Sequence, residues 1–232
     1  MKIKRVILFL LAILLLGLAL DLTIPVKKNF KQFDPEVVGK LEAQMWRSYY
    51  ERKPVKLFFQ LSKLMREQFH SPYFRSYLLA WYSAKAAFVF KDGHNRIQYA
   101  SALPYLSFYF DQLNKMSETP FNSHKLAQEE LEWWIIRREH DISTPNDCER
   151  ILTKEGEIMF HVPAEKFSGY ARDRVTAMEI RDDKGQTIES KDWEMITKLC
   201  IQAWAKFHEA VQPNSASSLK TQTKEHLSLS NN

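Results

Sequence analysis

Residues 73–90 read YFRSYLLAWYSAKAAFVF, and the organisation of the chain turns on that stretch. Ser71-Pro72 ahead of it offers a cap acceptor and a helix-opening proline, and Lys91-Asp92-Gly93 stops it. Between these signals apolar residues fall on nearly every side of a helical wheel, a pattern that expects enclosure by other helices. Arg75 and Lys85 inside it argue against a membrane span. The expectation is a central helix over 73–90 with the others packed around it.

Helical spacing recurs on both sides. Asp34-Pro35-Glu36 opens a helix whose stripe is Val38, Leu41, Met45 and Tyr49, ending before Pro54. Pro54 begins a second, with Val55, Phe58, Leu61, Met65 and Phe69 on one side. Residues 96–115 form a segment that Pro104 is expected to break or kink. Helices are then expected from Asn122 or Ser123 to about His140, from Thr144-Pro145 to about Phe160, over 164–181 and over 190–211. Only six glycines occur in 232 residues, too few for the tight turns of a strand-rich fold. The 45% hydrophobic and 13% aromatic content supports a substantial core. The fold class is therefore all-α: a bundle of about seven or eight helices over 34–212, behind an N-terminal hydrophobic helix. No fixed-period repeat marks a solenoid.

Residues 1–24 carry Lys2, Lys4 and Arg5 ahead of an apolar run from Val6 to Leu20, closed by Asp21. Fifteen helical residues reach only about 23 Å, short of a ~30 Å hydrocarbon core, although Ile3, Leu22 and Ile24 can extend the run. An uncleaved transmembrane anchor is expected, with a cleaved signal peptide as the alternative. The basic N-terminus points to a single-pass protein with its domain on the extracytoplasmic side, a signal weakened by Lys27, Lys28 and Lys31 after the run. Residues 25–33 read as a linker and 213–232 as a disordered tail rich in Ser, Thr, Gln and Asn. The net charge of +5 comes from 33 basic and 28 acidic residues spread along the chain, so no nucleic-acid partner is expected. Cys148 and Cys200 stand outside any CxxC pattern; they read as small buried hydrophobes, or as a disulfide if exported.

Three charges fall where burial would need a partner. Glu42 lies four residues from Val38 and from Trp46, and Glu130 four from Leu126 and from Trp134, so both sit on or beside apolar stripes. Lys85 stands among alanines and aromatics. A buried ion pair of Lys85 with Glu42 or Glu130 is expected, as a structural centre or as the polar part of a ligand site. Glu67 and His70 form an E-x-x-H pair of the kind that ligates metal in helical bundles, but the second such pair is missing. Eighteen of the thirty aromatics lie between Trp46 and Phe110, enough to line a pocket or simply to fill a core. No G-x-S-x-G, Gly-rich phosphate loop or H-E-x-x-H occurs, so an enzyme is not expected and no cofactor is indicated.

The run Leu41-Glu42-Ala43-Gln44-Met45-Trp46-Arg47-Ser48-Tyr49-Tyr50-Glu51, with Arg66-Glu67-Gln68-Phe69, Ala102-Leu103-Pro104 and Glu130-Leu131-Glu132-Trp133-Trp134, resembles a family of uncharacterised bacterial, membrane-targeted helical proteins. The resemblance spans residues 35–210. It implies a bacterial cell-membrane location and an all-α domain, and it transfers no site residues. The first functional expectation is a membrane-anchored interaction or structural domain, with the bilayer met through residues 3–24 and a protein partner. The alternative is a bundle that binds a metal or a small apolar ligand at a buried polar centre.

Overall fold

The computed structural model describes residues 2–139 and 143–212; the expected tail at 213–232 lies outside them. The described residues are all-helical, with a single isolated bridge between Lys28 and Ser117 in place of strands. The helices are α1 (Lys2–Thr23), α2 (Pro35–Tyr50), α3 (Pro54–Glu67), α4 (Tyr73–Lys91), α5 (Arg96–Tyr99), α6 (Leu103–Met116), α7 (Ser123–Arg138), α8 (Pro145–Phe160), α9 (Ser168–Lys184) and α10 (Ser190–Val211). Setting aside the single turn of α5, the described residues hold nine helices rather than the seven or eight expected.

Local chemistry sets most boundaries. Asp34 accepts from the amides of Glu36 and Val37, and Pro35 occupies the first turn of α2. Asn122 caps α7 through the amide of Lys125, and Thr144 with Asp147 closes a capping box on α8. A 3-10 turn at Ala100–Ala102 divides α5 from α6, and Pro104 falls in the first turn of α6, where its missing N–H costs nothing.

The helices pack in sequence-adjacent pairs that wrap into one bundle. α3 and α4 form an antiparallel hairpin, α6 lies between α4 and α7, and α8 joins α7 to α9. α10 closes the ring between α9 and α2. Gly39 makes this closure possible: a Cβ there would stand 2.6 Å from the Ile201 backbone, so α2 and α10 touch main chain to main chain. Phe167, Leu79, Met116, Ile151, Leu152 and Ile196 are fully buried at the centre.

Two expectations change. The helix over 73–90 is not enclosed: Leu79, Ala80, Ala86 and Phe90 face α3 and α6, whereas Tyr73, Trp81 and Lys85 face outward. The residues at 25–33 are not a loose linker. Phe30 and Phe33 are buried, Phe33 packing on Phe69, Trp204 and Phe207, and the Lys28 backbone bonds to Met116 and Glu118.

α1 is long and apolar enough to cross a membrane, and nothing in the domain buries it. Its C-terminal end, however, is fastened. Asp21 accepts from the amides of Phe74 and Arg75 at 2.9 and 3.1 Å, taking the capping role that Ser71 was expected to play for α4. The buried Arg75 guanidinium returns to the carbonyls of Asp21 and Ile24.

Candidate functional site

A cavity of about 830 Å³ opens between α2, α4, α7 and α9. Small-molecule sites span roughly 300–1,000 Å³, and its lining combines an aromatic wall with two groups of charges.

The first group centres on Arg174 of α9. Its Nε and Nη2 donate to one Glu42 oxygen at 2.9 and 2.8 Å, its Nη1 donates to the Tyr170 hydroxyl at 2.9 Å, and its guanidinium lies 4.7 Å from the Trp133 ring centre. The other Glu42 oxygen accepts from Trp204 Nε1 at 2.6 Å, a contact that the close approach at Gly39 permits. Glu42, only 5% exposed, is thus satisfied at both oxygens. Glu130 accepts from Trp134 Nε1 at 2.8 Å and faces the same cavity.

Glu155 of α8 lies near Glu130 and within the field of Arg174, which itself bonds only Glu42 among the described carboxyls. Burial drives the Glu155 carboxyl well above the usual carboxylate range, the Glu130 charge adds to the rise, and Arg174 opposes it. Burial also raises Glu130, again against Arg174. Burial and the neighbouring Glu130 carboxyl thus favour the protonated form of Glu155, whose Oε1 is buried without a hydrogen-bond partner among the described residues.

A stability dependence follows. Above roughly pH 4.3 the unfolded chain gives up the Glu155 proton more readily than the folded chain does, so stability falls as pH rises from there toward the raised folded pKa. Glu155→Gln removes this contribution. In thermal melts the variant should gain on the parent as pH rises from about 4 to about 7; parallel curves across that range would refute a raised Glu155 pKa.

A second group of charges gathers around Tyr49 and Tyr50. Lys91 Nζ donates to the Tyr49 carbonyl at 2.5 Å and lies 4.4 Å from the Tyr49 ring centre. Burial lowers its pKa to about 8, and Arg52, Arg138 and Arg181 push in the same direction against Asp92. Arg181 stacks on Tyr50 at 3.6 Å and pairs with no carboxylate among the described residues. Arg137 holds the Tyr50 hydroxyl and pairs with Asp182 at 2.9 Å, so the Tyr50 ring is fixed on a face and at its tip. Glu179 and Asp183 are acids of the lining that make no ion pair among the described residues. The cavity thus sets charges of both signs around Trp46, Tyr50 and Trp133, with the Glu42–Arg174 pair and Glu130 among them.

The residues singled out from sequence divide. Glu42 and Glu130 both line the cavity. Lys85 does not: it is exposed on the outer face of α4, 6.0 Å from the Tyr105 ring centre, and Arg174 holds the position expected for it. Glu67 and His70 do not face one another as ligands. α3 ends at Glu67, which pairs with Lys63 at 3.8 Å, and His70 lies beyond the helix end at φ +52°. Among the described residues no group of three or more His, Cys, Asp or Glu is placed to hold a metal. Both cysteines are free and buried, Cys148 in the cavity wall and Cys200 beneath α2.

Sequence reasoning missed Arg174, Arg181, Lys91 and Glu155. Arg174 was open to the test that found the glutamates, standing four residues from Tyr170 and four from Met178. No protein family, curated protein or solved structure matches the chain.

Proposed function

We propose that the protein is a membrane-anchored helical domain that holds a small molecule with a flat apolar body and an anionic head. This joins the membrane anchor of the first reading drawn from the sequence to the small apolar ligand of the second, and adds an anionic head to that ligand. The observation that carries it is the cavity itself: an aromatic slot of ligand size that brings Lys91, Arg138 and Arg181 beside Tyr50 and Trp133, with the Lys91 pKa lowered first by burial and then by Arg52, Arg138 and Arg181. An anion beside these cations relieves their repulsion, and Tyr50 and Trp133 offer faces for a ring to lie against. The anchor reading draws on the length and apolarity of α1 and on the basic residues at its start, which favour an extracytoplasmic domain.

Calorimetry on the full chain in lipid nanodiscs tests the proposal, using naphthalene sulfonate against uncharged naphthol. The sulfonate is expected to bind at one site, at least about tenfold more tightly than naphthol, a difference of roughly 1.4 kcal/mol. Lys91→Gln with Arg181→Gln should abolish that preference. Affinity for the sulfonate should also fall as pH rises through about 8, where Lys91 loses its charge. Equal affinities for the two probes, or a preference unchanged by the double substitution, would remove the reading.

A further inference from the structure

The outer face of the α3–α4 hairpin carries an aromatic ladder that starts at α1. A methyl at Gly17 would lie 3.9 Å from Phe74. From Phe74 the ring centres step 5.4 Å to Tyr73, 5.1 Å to Tyr77, 5.7 Å to a stacked Phe58 and 5.3 Å to Phe59. Tyr73, Tyr77 and Trp81 follow one another at intervals of four along α4. The outward members are open to a degree unusual for such side chains: Trp81 is 58% exposed, Phe59 56% and Val55 68%. α3 adds Lys56, Lys63 and Arg66 against the single acid Glu67, and the Arg66 guanidinium lies 5.4 and 5.8 Å from the ring centres of Tyr73 and Tyr77.

The Asp21 and Arg75 contacts fix this ladder beside the point where the apolar run of α1 ends. Tyr, Trp and Phe mixed with Lys and Arg is the composition that settles at the headgroup level of a bilayer, where ring bodies sink and polar tips stay wet. We propose that the α3–α4 face rests on the surface of the bilayer that α1 enters, with Lys56, Lys63 and Arg66 toward anionic headgroups. The occupant is lipid because the face is continuous with α1 and its cations complement anionic headgroups. The proposal rests on the reading of α1 as an anchor.

The test uses the full chain in phosphatidylcholine vesicles containing about one-third phosphatidylglycerol. Spin labels are placed at Phe59→Cys and Trp81→Cys, with Met195→Cys as reference on α10, which packs against α2 and α9. The two native thiols are buried and stay unlabelled. Labels at 59 and 81 should collide with lipid-dissolved oxygen in preference to a water-soluble nickel chelate, by about tenfold over the label at 195. If the chain floats with the vesicles but all three labels meet nickel equally, the face proposal fails and the anchor reading stands. Failure to float removes both. Shielding from both reagents together with spin–spin broadening would mean that a second copy covers the face, and would overturn the lipid assignment.

Discussion

Arg174→Met is expected to destabilise the domain by about 3–5 kcal/mol, the range found when one partner of a buried ion pair is removed. At roughly 2–4 °C per kcal/mol for a domain of this size, that is a fall of roughly 6–20 °C in melting temperature. The cost arises because the buried Glu42 carboxyl loses the Arg174 donors and is left with only Trp204 Nε1. Adding Glu42→Gln removes the unpartnered acid while leaving an acceptor for Trp204, so the double variant should recover much of the loss. Arg174→Lys should recover little, since one ammonium cannot serve Glu42 and the Tyr170 hydroxyl in the fork geometry of a guanidinium. Thermal melts of the three variants and the parent at one pH decide the matter. A single-variant loss below about 1 kcal/mol would show that Glu42 is not enclosed as described.

The second large effect is expected at Gly39. Alanine in mid-helix ordinarily gains about 1 kcal/mol over glycine. Here the added methyl would meet the Ile201 backbone at 2.6 Å and the Cys200 carbonyl carbon at 2.8 Å, contacts that rotamer changes cannot relieve. Forced separation of packed helices costs about 1–3 kcal/mol or more, so Gly39→Ala should be destabilising overall and Gly39→Val more so. Separating α2 from α10 also draws Trp204 Nε1 away from Glu42. The indole fluorescence of Trp204, isolated by comparison with Trp204→Phe, should therefore change together with stability. Equal or higher stability in Gly39→Ala would contradict the close approach.

The secondary structure was open to sequence reading because caps and prolines act locally: Asp34-Pro35 and Thr144-Pro145 open helices with the donors and acceptors their spacing implies. The cap of α4 was not legible, since Asp21 reaches it from more than fifty residues away and reads in sequence only as the end of an apolar run. The enclosure expected for 73–90 failed for a related reason. Apolar residues on every side suggest burial, but the row through Tyr73, Tyr77, Trp81 and Lys85 is one outward stripe. That row also displaces Lys85 from the polar centre, although its alanine and aromatic neighbours in sequence suggested the reverse.

The centre itself was half visible. A carboxylate on an apolar stripe signals a buried charge, and this picked Glu42 and Glu130. It does not say which cation answers, and Arg174 sits among Arg172, Asp173 and Glu179 on a helix whose charged residues conceal its buried side. Glu155 was hidden by Lys154 and Glu157 in the same way. Lys91 read as part of a helix stop, and only the folded chain brings it against Tyr49.

Lys91 lies eighteen residues along α4 from Tyr73, about 27 Å at 1.5 Å per residue. The Lys91 side of the cavity and the hitch that fastens α1 therefore stand at opposite ends of one rigid rod. With α1 in a bilayer, the length of α4 sets how far the cavity end of the domain stands from its tether.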